Sequence, residues 1–247
     1  MGKFLAVLRT AVTVSVTFLY ILVAGSVAVA LGSLFRKSDW IYNTGIGGVH
    51  LCLWLAGCKL DVQGKENLFP GEPCIFVCNH VSNIDPPAVA AILPRVAFLA
   101  KREVFRTPVF GRAMKICSFI PVDRGTERAA LVVEAGVDRL RRGFSVLAFP
   151  EGTRSRTGEM LPFHHGTFLM AIRAQAPVVP ISLWGTREMM KKGDPGIYPG
   201  TAHFLVHPAV STRGLWSESR KELAERVQQI IASALPGAQG GEPPRKG

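Results

Sequence analysis

The stretch Cys74-Ile75-Phe76-Val77-Cys78-Asn79-His80-Val81-Ser82-Asn83-Ile84-Asp85-Pro86-Pro87 decides how this chain is read. Five apolar residues, Cys74–Cys78, predict a buried strand. The polar turn after them ends at two prolines, which suit the first turn of a helix, expected here over Pro86–Leu93. The same alternation continues on both sides. Strands are predicted at Leu60–Val62, Cys74–Cys78, Val96–Ala100, Phe119–Val122, Ser145–Phe149, Val178–Leu183 and Ala202–Val206. Helices are predicted at Pro86–Leu93, Val109–Ile116, Glu127–Arg141, Gly166–Ala174 and Ser217–Leu235. In Glu127–Arg141, Leu131, Val132, Ala135 and Leu140 form an apolar stripe opposite Glu134 and Asp138. Strands that alternate with helices imply an α/β fold, a mostly parallel sheet of about seven strands flanked by helices.

Upstream lies a different kind of sequence. Residues Ala11 to Phe35 carry no charge and are rich in Val, Leu, Ala and Phe. That length suffices to cross a hydrocarbon core of about 30 Å. A second uncharged stretch, Trp40 to Cys58, is weaker, because Gly45, Gly47 and Gly48 lower helix propensity. A cleaved signal peptide is the competing reading. The apolar run exceeds the usual h-region of roughly 7–15 residues, and no clear small-x-small cleavage site precedes a polar start. An N-terminal apolar helical membrane anchor over residues 1–59 is therefore expected, followed by an α/β domain at 60–235 and a Gly/Pro-rich, disordered tail at 236–247. Lys3 and Arg9 precede the first run and Arg36 and Lys37 follow it, so flanking charge sets no orientation.

With 29 Lys+Arg against 18 Asp+Glu the formal net charge is +11. This excess suits an anionic membrane surface, a phosphorylated substrate or nucleic acid. Nucleic acid is set aside, because the basic residues accompany membrane segments and no reader motif occurs. Between Arg95 and Lys115, Arg102, Arg106 and Arg112 interleave with Phe98, Phe105, Val109 and Phe110, which reads either as a face toward anionic headgroups or as a solvated helix face. The cysteines are Cys52, Cys58, Cys74, Cys78 and Cys117, an odd count that does not suit a disulfide framework. Cys74 and Cys78, followed by His80, raise a zinc site. On a strand they stand roughly 13 Å apart, too far to share an ion, so no metal is expected.

Ligands of parallel sheets bind beyond the carboxyl ends of the strands. Here one strand runs into Asn79-His80, another into Pro150-Glu151-Gly152, and a third into Asp123-Arg124. Asp85 can fold back across the turn to accept from His80 Nδ1–H, which leaves Nε2 as a base. It has a second reading as a helix N-cap. Ser82, in a polar turn, reads as a turn or cap residue, and no Gly-x-Ser-x-Gly elbow occurs. A His–Asp pair with no protein nucleophile activates a hydroxyl of the substrate itself. The loop Glu151-Gly152-Thr153-Arg154-Ser155 carries a fixed cation suited to phosphate. Glu151 beside a phosphate is anomalous, and orients Arg154 or binds a substrate hydroxyl. A plain surface turn is the alternative for this loop, and Lys101 and Arg124 are candidates to complete a cationic pocket.

Asn79-His80-x4-Asp85, Phe119-Ile120-Pro121-Val122-Asp123-Arg124, Phe149-Pro150-Glu151-Gly152-Thr153-Arg154-Ser155 and Val179-Pro180-Ile181 resemble, in order, the four motifs of the glycerolipid acyltransferases. The chain resembles the bacterial lysophosphatidic acid acyltransferase type over roughly residues 60 to 210. The resemblance implies that His80 and Asp85 are catalytic. It implies that Arg124, Glu151, Gly152, Thr153 and Arg154 bind the acceptor, with Lys101 beside them, and that Val179, Pro180 and Ile181 shape the acyl side. It further implies a fatty acyl transfer from acyl-CoA or acyl carrier protein, with no bound cofactor, to the sn-2 hydroxyl of a lysophospholipid acceptor, lysophosphatidic acid, giving phosphatidic acid. Membrane lipids are then partners, and a bacterial inner membrane, with the site on its cytoplasmic side, is the expected location. Another acceptor, or a non-catalytic membrane-binding relative, remains open. The sequence departs from the family at His164-His165, where relatives frequently carry lysine.

Overall fold

Ile75, Phe76, Val77 and Cys78 form β2 (Ile75–Cys78), and none of the four retains accessible surface. The reason is position. In the computed structural model, which describes residues 2–122, 129–191 and 193–236, β2 is the central strand of seven. The others are β1 (Cys58–Gln63), β3 (Val96–Lys101), β4 (Ile120–Val122), β5 (Ser145–Ala148), β6 (Val178–Trp184) and β7 (Gly200–Val206), in the order β1-β7-β6-β2-β5-β3-β4. Phe76 pairs with Leu147 of β5 on one side and Val179 of β6 on the other, both in parallel. β3 and β4 extend the parallel run. Among the strands of the described residues only the β6–β7 pairing is antiparallel, so β7 and its parallel partner β1 run against the other five.

Alternate residues of β2 enter different cores, as the pleat requires. Ile75 and Val77 pack with Val133, Phe168 and Val227, contributed by α6 (Ala129–Arg141), α7 (Gly166–Ala174) and α9 (Arg220–Ser233). Phe76 and Cys78 pack with Leu53, Ala88 and Phe204, under α3 (Ser38–Ala56) and α4 (Asp85–Ile92). Cys74 and Cys78 share this second core as buried free thiols. Burial pushes the Cys74 thiol up to about 12. α5 (Pro108–Ile116) starts cleanly because Thr107 accepts from Gly111 N at 3.0 Å and Pro108 sits at the first turn.

The N-terminal segment is one helical rod, Gly2–Leu34, long and apolar enough by length and composition to cross a membrane. It comprises α1 (Gly2–Tyr20), a π-helical turn (Ile21–Gly25) and α2 (Ser26–Leu34). Phe4, Phe18, Leu19 and Val23 are exposed along it, the apolar surface expected of a lipid contact. The rod nonetheless touches the α/β body near both ends. Thr10 Oγ1 donates to the Pro195 carbonyl at 2.8 Å and Ile197 N donates to Thr10 Oγ1 at 2.9 Å. Farther along, Val29 packs with Ile41, Tyr42 and Cys117.

The weak second stretch is a full helix, α3, and its glycines have a purpose that the sequence hides. A Cβ on Gly48 would lie 2.9 Å from Tyr20 Cε1, and one on Gly47 2.8 Å from the Tyr20 hydroxyl. These positions let α1 approach α3 closely, and Tyr20 caps the contact by donating to the Thr44 carbonyl at 3.0 Å. The interleaved basic–aromatic stretch also differs from its surface reading. Phe105 is buried, and Phe98 packs against Phe119 at 4.9 Å between ring centroids. The aromatic residues there turn mostly inward, leaving Phe110 exposed with the neighbouring cations.

Candidate active site

The carboxyl ends of β2, β3, β4, β5 and β6 share one edge, because these five strands run the same way. β2 delivers Asn79 and His80 there. Asn79 continues the ladder with its side chain: its amide donates to the Leu183 carbonyl and its oxygen accepts from Leu183 N, both at 2.8 Å. His80 is thereby set at the end of the sheet, and the chain turns.

Asp85 folds back across this turn. Its Oδ2 accepts from Val81 N at 2.6 Å, from Ser82 N at 2.7 Å and from His80 Nδ1 at 2.8 Å. The N-cap reading gives way: Asp85 lies inside the first turn of α4, after Ile84, and its carboxylate gathers His80, Val81 and Ser82 at the start of the turn. Ionised, it only accepts, so Nδ1 carries the proton and Nε2 keeps its lone pair. Asp85 has no exposed surface, whereas the His80 side chain keeps 17%. The ring lies against Phe149, centroids 4.6 Å apart. Ser82 is structural, as a turn residue should be. Its buried hydroxyl accepts from Ile84 N at 3.2 Å and donates to the Met190 carbonyl at 3.0 Å.

The loop after β5 grips His80 from the neighbouring strand. Glu151 Oε1 accepts from His80 N at 2.7 Å, and Ser155 N donates to the His80 carbonyl at 3.0 Å. Glu151 Oε2 accepts from Leu161 N at 2.9 Å. Burial raises the Glu151 carboxyl above its ordinary range, while the N–H groups of Leu161 and His80 pull the other way. Its anomalous charge beside Arg154 thus has an explanation in the backbone: the carboxylate ties this loop to the histidine. Gly152 turns the loop at φ +65, and a Cβ there would meet the His164 ring at 3.0 Å. Thr153 is exposed and Arg154 half-buried on this same loop. Lys101 is exposed at the end of β3. Arg124 lies outside the described residues.

Two features were not visible in the sequence. Thr186, after β6, donates from Oγ1 to Asp85 Oδ1 at 2.5 Å. Beside the pair opens an apolar cavity of about 390 Å³, lined by Pro86 and Pro87 directly after Asp85 and by Tyr20, Cys52, Phe98 and Met114 among others. It lies between the N-terminal helices, β3 and α5, so residues far apart in sequence build its walls.

A histidine held by a buried carboxylate beside an arginine loop, with an apolar cavity that begins at the prolines after Asp85, suits proton removal from a polar group on an amphiphile. The family model described as Acyltransferase matches residues 59–184. The chain is 34% identical over 185 residues to human 1-acyl-sn-glycerol-3-phosphate acyltransferase alpha, covering 74% of this chain and 65% of that protein. It is 30% identical over 189 residues to the Pseudomonas aeruginosa 1-acyl-sn-glycerol-3-phosphate acyltransferase, covering 74% and 73%. Against the chloroplastic BAT2 enzyme of Brassica napus the identity is 34% over 178 residues, 70% of this chain and 52% of the relative. The chain thus spans about half to two thirds of the length of several relatives it matches. Among solved structures, the 1-acyl-sn-glycerophosphate (LPA) acyltransferase PlsC of Thermotoga maritima superposes with a TM-score of 0.83 at 25% identity, covering 94% of this chain and 95% of that one.

Proposed function

The chain belongs to the acyltransferase family, and on that premise we propose that it transfers a fatty acyl group to the sn-2 hydroxyl of lysophosphatidic acid, giving phosphatidic acid. The observation that carries this reading is the orientation of His80. Its Nδ1 is committed to the buried Asp85, so Nε2 is the nitrogen left to act as general base. In the reaction, Nε2 takes the proton of the acceptor hydroxyl as that oxygen attacks the carbonyl of an acyl thioester. The tetrahedral adduct collapses, the carbon–sulfur bond breaks, and the departing thiolate takes the proton back from the imidazolium. His80 ends neutral, as it began. Asp85 stabilises the transient imidazolium and keeps the ring from turning.

Acyl-CoA or acyl carrier protein serves as donor, a thioester of either being chemically equivalent at the carbonyl. No bound cofactor enters. Arg154 holds the acceptor phosphate, helped by Thr153 and by the backbone at Gly152, with Arg124 and Lys101 as further cations. The apolar cavity beside Pro86 and Pro87 takes an acyl chain. The N-terminal rod suits anchorage at a membrane, where lysolipid and product reside; the cytoplasmic face of a bacterial inner membrane fits a CoA- or carrier-bound donor.

The test is product analysis. Purified protein with a radiolabelled acyl donor and a panel of lysophosphatidic acid, lysophosphatidylcholine, lysophosphatidylglycerol and glycerol 3-phosphate should yield labelled phosphatidic acid well above the other products. Preferential labelling of any other acceptor, or none, would overturn the acceptor assignment.

A further inference from the structure

Asp85 has two oxygens with unequal work. Oδ2 accepts three hydrogen bonds from the turn, including the one from His80. Oδ1 receives the Thr186 hydroxyl, from a residue 101 positions away in sequence. Both residues are fully buried. A carboxylate rotates about its Cβ–Cγ bond unless both oxygens are engaged, and a buried oxygen without a donor favours the protonated acid.

The chain takes trouble to bring this hydroxyl here. Gly185 follows β6, with φ +87, and a Cβ there would stand 2.2 Å from the Thr201 carbonyl oxygen. That tight bend redirects the backbone so that Thr186 begins α8 (Thr186–Met189) directly beneath Asp85. The end of α8 is tied to the same turn, because Ser82 donates to the Met190 carbonyl at 3.0 Å. The histidine turn and the β6 exit are therefore bonded at two points, one of them on the carboxylate itself.

We infer that Thr186 is a positioning residue for acyl transfer: its hydroxyl locks the plane of the Asp85 carboxylate, so that Oδ2 keeps His80 in its reactive tautomer. The inference rests on the general-base reading of His80. Glu151, after β5, and Cys78, at the end of β2, are the other titratable groups that feel the charge of the pair. Loss of the Thr186 donor leaves the buried Oδ1 without a partner and loosens the hold of the carboxylate on the imidazole.

Thr186→Val keeps the shape and removes the donor. It should lower kcat by about 10–100-fold, the fold-change equivalent of a hydrogen bond to a charged group, with KM for the acceptor nearly unchanged. The acid limb of kcat/KM against pH should move with the loosened pair, and Thr186→Ser should restore both rate and limb. A valine variant that is folded, by its melting transition, and has wild-type kcat and pH profile overturns the proposal. So does a rate loss with the acid limb unmoved. If valine and alanine variants fail to fold while serine folds, the hydroxyl serves folding alone and the proposal again falls. His80→Ala, assayed alongside, separates the two claims: activity surviving that change sinks the general-base reading, whereas its loss beside a wild-type Thr186→Val sinks only the positioning role.

Discussion

Two histidine–aspartate pairs occur among the described residues, and they look alike until their surroundings are compared. His80 Nδ1 stands 2.8 Å from Asp85, and His203 Nδ1 stands 3.0 Å from Asp61. The second pair is a cross-strand contact between β1 and β7, where Asp61 lies opposite His203 in register. Its side chains are 35% and 34% exposed, and the His203 ring stacks on Trp184. Water screens such a pair, and exposed pairs contribute little. Asp85 by contrast is dry and accepts four hydrogen bonds from the turn and from Thr186. A carboxylate beside an imidazole is thus common chemistry, and what separates a poised base from a surface contact is the shell that fixes the carboxylate.

The sharpest way to break that comparison is to neutralise Asp85. In Asp85→Asn an amide oxygen still satisfies the three donors of the turn, so the fold survives, but the charge that stabilises the imidazolium is gone. A fall in kcat of about 10³–10⁴-fold is expected, the size seen when the carboxylate of a Ser-His-Asp triad is neutralised. Steady-state kinetics checks it, and a loss below about tenfold would place Asp85 with Asp61. Arg154→Ala should act on binding instead. The expected outcome is an acceptor KM higher by about 10–100-fold with the donor KM unchanged; an effect confined to the donor would move Arg154 off the acceptor.

The smallest effect concerns Glu151. Burial raises its carboxyl above the ordinary carboxylate value, so the folded chain binds that proton more tightly than the unfolded one. Its contribution to stability is complete below the unfolded value and is lost as pH rises through the raised folded value. Glu151→Gln removes this titration, so the variant should gain on the parent in melting temperature as pH rises from about 4 to about 7. A gain of about 2–4 °C corresponds to about 1 kcal/mol in a chain of this length. A pH-independent gap would mean that the carboxyl titrates normally.

What the sequence revealed followed the range of the forces involved. The strands were legible from their apolar residues, most plainly β2 and β6, since a strand buried on both faces needs an apolar run whatever its neighbours, whereas β1 and β7 bury only part of their surface. The His80–Asp85 pairing was legible because it closes within six residues, and the loop after β5 because its polar residues follow a strand directly. Thr186 was not. Its hydroxyl reaches Asp85 only because β6 lies beside β2, and a single threonine after a strand carries no local signal. The same holds for the backbone partners of Glu151, His80 N and Leu161 N, which the sequence does not show. Gly47 and Gly48 were misleading for a related reason: they weaken a helix in isolation and admit Tyr20 in the packed molecule. Arg124 falls outside the described residues, so its place in the cationic loop rests on its sequence motif.

One measurement bears on the central claim most directly: phosphatidic acid formation by His80→Ala and His203→Ala, side by side, with both variants matched to the parent in melting temperature. General-base assistance typically supplies about 10²–10⁴-fold, so the first variant should fall by at least that much while the second stays within about twofold. Near-parental turnover by His80→Ala, or equal losses in the two, would contradict the account.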